Sequence, residues 1–339
     1  MAMVALASLA LLSIRPNIEF PAAGGQMTQA FQPLSPGFAW DEAIVSWNLE
    51  NPVSAGVRVE ARAWRGDTAT KWYTIADWAS DTAKAPRVSV EGQKDADGDV
   101  DTDTFVLKSP ADRLELRATL KTLAEGPRPR LRMLTASFAN TKEKTADHPV
   151  PTPAWGKTID VPQRAQGDYP NGSVLCSATS TSMLLWHYSR VLNRPELDRD
   201  VPEVEASVWD SVYNGAGNWP FNVAYSGSFP GMRAYVARFA GISDLEKWID
   251  AGLPVACSVS FDMLKGALTG GSGHLVVLVG FTKDGDPVIN DPARRGDVRH
   301  VYKRADFERA WLYSKRTVYI VHPESAKPPK GGEGRWLED

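Results

Sequence analysis

Two domains are predicted, an all-β sandwich followed by an α+β domain, on three observations. The chain has 339 residues, too many for one ordinary domain and enough for two. Residues 37–140 alternate apolar and polar with a period of two, in about seven runs divided by turn residues. After a polar, proline-rich stretch at 141–156, helical spacing comes first and short apolar strands later, the order of an α+β domain.

The N-terminal segment, 1–25, begins with an apolar run from Met1 to Ile14. It resembles the apolar core of a signal peptide, which predicts a secreted or periplasmic protein. It lacks a basic stretch before the run and a clear cleavage site after it, so an N-terminal strand and a cytoplasmic location stay open.

The sandwich is predicted over 26–145. Val57, Val59, Ala61 and Ala63 share one face of a strand while Arg58, Glu60 and Arg62 share the other. Leu114, Leu116, Ala118 and Leu120 repeat the pattern against Arg113, Glu115 and Arg117. Asn51-Pro52, Arg65-Gly66-Asp67 and Gly126-Pro127 supply turns between runs. Tryptophans 40, 47, 64, 72 and 78 crowd this region and belong mostly to its core. Trp64 shares the parity of Arg58 and Arg62, which makes it a candidate platform for a carbohydrate or peptide ligand. Asp95 to Asp103 is dense in hard oxygen donors, as a calcium loop is. Its glycine misses the EF-hand position, so an acidic turn is the preferred reading.

The α+β domain is predicted over 146–325. Helices are expected from Cys176 to about Leu192, around Met232–Ala240, over Leu245–Ala251 and over Ala305–Leu312. Strands are expected at Pro254–Phe261, His274–Phe281, Val288–Asn290 and Thr317–His322. The tail, 326–339, is charged and rich in Pro and Gly, so it is expected to fray.

Bulk properties narrow the function. A net charge of −3 gives no basic footprint for nucleic acid. Two cysteines cannot build a disulfide framework, and a Cys176–Cys257 bridge would remove a nucleophile. No other run is long and apolar enough to predict a membrane span.

The chemistry centres on Cys176. It follows the turn-rich loop Gly167 to Gly172 and precedes helical apolar spacing at Met183, Leu184, Tyr188 and Val191. It therefore falls in the first helical turn, where unpaired N–H groups and the helix dipole stabilise a thiolate. Most free cysteines are small buried hydrophobes, and Cys257, in an apolar strand, reads that way. His274 opens an apolar strand after a glycine-rich loop, where an imidazole can exchange a proton with a thiol. His187 lies about 16 Å along the helix from Cys176, which excludes it as the partner. His148, His300 and His322 have no comparable setting.

A third group must fix the imidazole. Asn290-Asp291 closes the strand after an Asp284-Gly285 turn. A two-residue hairpin loop there pairs Asp291 with Leu278, on the face of His274, and puts Asn290 on the opposite face. Leu278 is about 13 Å from His274 along an ideal strand, so direct contact needs a bulge, another turn or strong twist. Asp291 is the expected orienter and Asn290 its rival. The side-chain amide of Gln163 can hold an oxyanion beside the Cys176 N–H.

These pieces, in order, resemble a known family. Val161-Pro162-Gln163, Cys176-Ser177-Ala178-Thr179-Ser180 with Met183, Gly217-Asn218-Trp219-Pro220-Phe221-Asn222, Gly273-His274-Leu275-Val276-Val277, Asn290-Asp291-Pro292-Ala293 and Phe307-Glu308-Arg309-Ala310-Trp311 are similar to the C39-like bacterial cysteine peptidases. Val45-Ser46-Trp47-Asn48 and Trp72-Tyr73 resemble the sandwich that often precedes them. The resemblance covers about half the chain. It implies a papain-like fold, Cys176 as nucleophile, His274 as base, Asp291 as orienter and Gln163 as oxyanion donor, with no cofactor and no metal. Trp219 and Asn222 are candidates for the substrate cleft. Where relatives often have Trp-Cys-Ser-Pro-Thr, this chain has Leu175-Cys176-Ser177-Ala178-Thr179, which loses a proline but no reactive group. The expected activity is hydrolysis of peptide or amide bonds in a peptide or protein substrate. The alternatives are a cysteine-dependent amidase or acyltransferase on cell-wall peptides, and a non-catalytic binding protein.

Overall fold

The structure is a computed structural model that describes residues 8–145, 147 and 153–329. The first half is built of strands: β1 (Leu9–Ile14), β2 (Ile18–Glu19), β3 (Gln26–Ala30), β4 (Trp40–Glu50), β5 (Ala55–Arg65), β6 (Thr68–Ala69), β7 (Tyr73–Ala79), β8 (Gly98–Asp101), β9 (Thr104–Ala111), β10 (Arg113–Thr122) and β11 (Arg130–Ala139). One antiparallel sheet runs β1-β11-β4-β9-β8, with β2 also on β11. The second runs β3-β10-β5-β6, with β7 also on β5. Trp47, Val59, Leu116 and Phe138 meet in the core between them.

The alternation read in β5 and β10 is the alternation observed. Their apolar residues are buried, and the opposite face carries cross-strand ion pairs. Arg58 pairs with Asp77, Arg62 with Glu115, and Arg117 holds Glu60 through two bonds of 2.7 Å. Trp64 sits in this charged lattice. Arg62 and Arg113 lie over its ring and its Nε1 donates to Glu115. It is therefore occupied by its own neighbours and gives no support to a carbohydrate platform. Asp95 is likewise committed, accepting from Tyr73 Oη and from the N–H groups of Asp97 and Gly98.

The apolar N-terminal run is not separate from this body. β1 pairs with β11 along its whole length, so residues 9–14 extend the first sheet.

The second half continues with α1 (Cys176–Leu192), α2 (Val201–Val208), α3 (Trp219–Ser226), β12 (Met232–Arg238), α4 (Ile242–Asp250), β13 (Val255–Ser260), α5 (Phe261–Leu264), β14 (Gly273–Phe281), β15 (Pro287–Asn290), β16 (Arg299–Val301), α6 (Arg304–Leu312) and β17 (Thr317–Pro323). Its sheet is antiparallel, in the order β12-β17-β13-β14-β15-β16. α2 has a complete capping box, Asp200 with Glu203, that the sequence reading passed over. His148 and residues 330–339 of the tail lie outside the described residues.

The helix expected around Met232–Ala240 is a strand. Ala, Met and Arg favour a helix locally, but pairing with β17 wins. The outer edge of β12 is closed by the first half of the chain. Ala234 N donates to Asn48 Oδ1, Val236 N to Ser46 Oγ and Arg238 N to Ser137 Oγ. Polar side chains of β4 and β11 thus do for this edge what a further strand would do. Accordingly β4 is buried on both faces. The sandwich core also runs on into Leu175, Ala178, Val204 and Phe221, so the two halves share one apolar interior.

Candidate active site

Cys176 is the first residue of α1, and the preceding Leu175 offers no side-chain cap. The first-turn N–H groups are therefore left for a thiolate or a substrate oxygen. Two short turns, Gln166–Asp168 and Gly172–Val174, deliver the chain to this point. Gly172 is required there, because a Cβ would lie 2.1 Å from the Gln166 carbonyl oxygen.

α1 is rich in Ser and Thr, and these are buried rather than solvated. Ser180 Oγ donates to Leu275 O at 3.0 Å, and Ser177 Oγ lies 2.9 Å from Tyr319 Oη. These bonds fasten α1 across β14 and β17. They bring Cys176 beside His274, the two lining one cleft.

His274 is buried, its ring edge-on to Phe261 with centroids 4.9 Å apart. Its Nε2 lies 2.7 Å from Asp291 Oδ1, which leaves Nδ1 for the thiol. Asp291 is fully buried, with partners on both oxygens. Oδ1 also accepts from Ala293 N at 2.9 Å, and Oδ2 accepts from Tyr302 Oη at 2.5 Å.

Asp291 reaches His274 because the hairpin is not the ideal one. Phe281 pairs with Pro287, so the loop holds five residues instead of two. A register shift between Leu278 and Gly280 moves the strand again, pairing Val277 with Asn290. Two one-residue shifts keep Asp291 on the face of His274 and draw it two residues closer. Asn290 is excluded as orienter. It donates to the carbonyls of Val161 and Pro162 and accepts from Arg299 Nε.

The electrostatics follow from these contacts. Burial alone raises a thiol, but for Cys176 the hydrogen bond and charge of His274, with the Leu275 and Ser177 amides, outweigh it and lower its pKa. Burial disfavours the imidazolium of His274, yet Asp291 and the thiolate raise it to about 9. Asp291 is held below its ordinary range, because the bonds from His274 and Tyr302 outweigh its burial. Cys257 has only burial, which pushes its thiol up. Both cysteines are free.

The pair opens on a cleft of about 750 Å³. Trp219, Tyr213 and Tyr313 line it from the second half, and Glu42, Asp101 and Asp103 from the sandwich. The backbone N–H of Trp219 is donated to the buried Asp103 at 2.9 Å. Burial pushes that carboxyl up to about 7.

Two expected site residues lie elsewhere. Asn222 is fully buried, accepting from Thr181 Oγ1 and donating to the carbonyls of Ala216 and Asn218, so it supports the loop behind the cleft. Gln163 is exposed, and its Oε1 accepts from Arg299 N at 3.1 Å. Gln166, three residues on, is buried instead, and its Oε1 has no partner among the described residues. The sequence reading also missed Tyr302, Tyr213 and Asp103. Nothing local marks Tyr302 or Tyr213, and Asp103 was visible only as part of an acidic run.

Comparison with known proteins places both halves of the chain in one family context. Residues 25–139 match the Peptidase C39 N-terminal domain, and residues 158–319 match the peptidase C39 like family. No curated protein is similar enough to count as a match. Among solved structures, a chain described as a C39-like peptidase from Bacillus anthracis is 19% identical, with a TM-score of 0.36 over 50% of this chain and 99% of that one. The VP2 subviral particle of infectious bursal disease virus is 9% identical, with a TM-score of 0.23 over 39% of this chain and 32% of that one. With both halves matched in order around one helix-start thiol, the chain belongs to the C39-like family of cysteine peptidases.

Proposed function

We propose that the protein hydrolyses peptide bonds through a Cys176 thioester in a papain-like arrangement. One observation carries the reading: a lowered-pKa thiol at a helix start shares a cleft with an imidazole whose Nε2 is held 2.7 Å from a buried carboxylate. The thiolate Sγ attacks the carbonyl carbon, and the new S–C bond leaves a tetrahedral oxyanion. His274 Nδ1–H gives its proton to the leaving amine as the C–N bond breaks. The neutral imidazole then takes a proton from water, whose oxygen attacks the thioester and expels the thiolate. Asp291 keeps the ring in one orientation and stabilises the imidazolium throughout.

The oxyanion is held by the Cys176 N–H and, in this reading, by Gln166 in place of Gln163. What supports Gln166 is the burial of its side chain, where that of Gln163 is exposed, and its place at the head of the loop. Its N–H donates to Pro292 O, beside Asp291, and bonds from Tyr169 to Gln166, Gly172 to Tyr169 and Leu175 to Gly172 lead on to Cys176. Loss of one such donor costs roughly 10²–10³ in kcat. Gln166→Ala should show a loss of that order and Gln163→Ala a change of about twofold or less.

The decisive experiment is a peptide-library digest with the wild type and Cys176→Ala side by side, with iodoacetamide labelling of both thiols. Cleavage products from the wild type alone, and Cys176 labelled faster than Cys257 at neutral pH, are expected. Full activity in Cys176→Ala, or equal labelling, sinks the reading. Preferential capture by an added amine over water would assign an acyltransferase instead.

A further inference from the structure

The catalytic cleft does not end at Tyr213. A second hollow of about 620 Å³ opens beyond it on the sandwich, and Asp101, Thr102, Val106 and Tyr213 line both. Each hollow alone has the size of a compact-ligand site, roughly 300–1,000 Å³. Two such hollows in series suit an extended chain.

The second hollow is lined along β8, from Gly98 to Asp101. β8 is the last strand of its sheet, with β9 on one side and no strand on the other among the described residues. Its outward N–H groups are already bonded, that of Gly98 to Asp95 and that of Val100 to Asp99, and Gly98 O accepts from Asp95 N, so the hollow offers an occupant side-chain contacts rather than a free strand edge. Val212 and Tyr213 of the second half also line it. Both are exposed, at 41% and 50%, which is unusual for residues of this size held so firmly.

Their support is elaborate. The fully buried Asp210 accepts from Val212 N, Tyr213 N and Asn218 Nδ2, and also from Ser89 N of the sandwich. Gly215 and Gly217 leave room for the Tyr213 side chain, because a Cβ on either would lie 3.1 Å from it. Asn214 takes the left-handed conformation, φ 56°, that turns the loop between them. The loop thus fixes an aromatic ring at the junction of the two hollows.

We propose that the hollow on the sandwich is a substrate subsite. A polypeptide substrate runs from Cys176 over Tyr213 to the edge of β8 and sets an apolar or aromatic side chain against Val106, Val212 and Tyr213. Glu91, Asp99, Lys94 and Lys108 mix both signs around this hollow, so shape and apolar contact select the substrate there more than charge. The proposal rests on the peptidase reading above and assigns the N-terminal domain a share in substrate selection.

The test is a ladder of peptides built on one cleaved bond, each extended by one residue to either side. In the wild type, kcat/KM should rise about tenfold or more as the peptide grows in one direction and gains an apolar residue. Val212→Arg places a long cation in the hollow from an exposed position and should bring the long-to-short ratio of kcat/KM back near one. Val53→Ala, 74% exposed and outside both hollows, should leave the ratio unchanged. If short and long peptides are cut equally well, or Val212→Arg keeps the full length preference, the subsite is wrong while the peptidase reading stands. If the wild type cuts no peptide although Cys176 labels rapidly, both fall together.

Discussion

At the scale of single residues, the protonation states of Cys176 and His274 decide what the site can do. The thiol is lowered from its ordinary value and the imidazole raised to about 9, and both shifts favour the thiolate–imidazolium pair. Lowering the pH protonates the thiolate, and raising it through about 9 removes the proton that the leaving amine needs. The kcat/KM profile should therefore be bell-shaped, with its alkaline limb near pH 9. A rate still climbing at about pH 10 would contradict the assignment of the proton to His274. Asp291→Asn removes the charge that supports the imidazolium and should lower kcat/KM by roughly 10²-fold or more while shifting the alkaline limb to lower pH. Tyr302→Phe removes the bond to Asp291 Oδ2 and the hydroxyl's interaction with Arg294. Its expected effect is a smaller activity loss and a stability loss of about 1–3 kcal/mol, because a buried carboxylate oxygen is left unpaired. An Asp291→Asn enzyme with an unmoved pH profile would remove the carboxylate from the mechanism.

At the scale of elements, the loop from Gln166 to Cys176 controls the site through backbone shape. Gly172→Ala drives a Cβ into the Gln166 carbonyl, so the loop must shift, while Gly167→Ala meets nothing within 4 Å. Gly172→Ala is expected to lose most of its activity with α1 still formed, and Gly167→Ala to stay near wild type; kinetics and circular dichroism of the pair check this. Equal activity in the two would mean that the loop does not position the oxyanion site. The same scale shows what sequence could and could not reveal. α1, β14 and the alternation of β5 and β10 are written in local pattern, and so were legible. β12 was not, because the groups that close its edge, Ser46, Asn48 and Ser137, lie 101 to 190 residues earlier. The His274–Asp291 contact was half legible. Parity gave the face, but the five-residue loop and the bulge that supply the distance leave no mark in composition. Gln163 and Gln166 look alike in sequence and differ only in which one the fold buries.

At the scale of the whole molecule, the two sequence-matched halves behave as one structure. Arg87 of the sandwich segment is buried and donates to the carbonyls of Trp209, Ala206 and Ala79. Ser89 N is held by Asp210, Asp103 holds Trp219 N, and Trp47 packs edge-on to Phe221. A catalytic half without its sandwich would expose the apolar faces of α2 and α3 and the unpaired N–H groups of β12. The apolar surface so exposed forfeits about 25 cal/mol for each Å², which against a typical stability of about 5–15 kcal/mol leaves little margin. Calorimetry of the full chain should therefore show one cooperative transition, and a fragment starting at residue 153 should lack the near-ultraviolet signal of packed aromatics. Arg87→Ala strands three carbonyl acceptors in the interface and should lower the midpoint of that single transition without splitting it. Two well-separated transitions in the wild type, or an active fragment, would show that the cleft is complete without the sandwich. The shared wall at Asp101, Asp103 and Glu42 argues against that outcome, since the surface a substrate must cross is built from both halves.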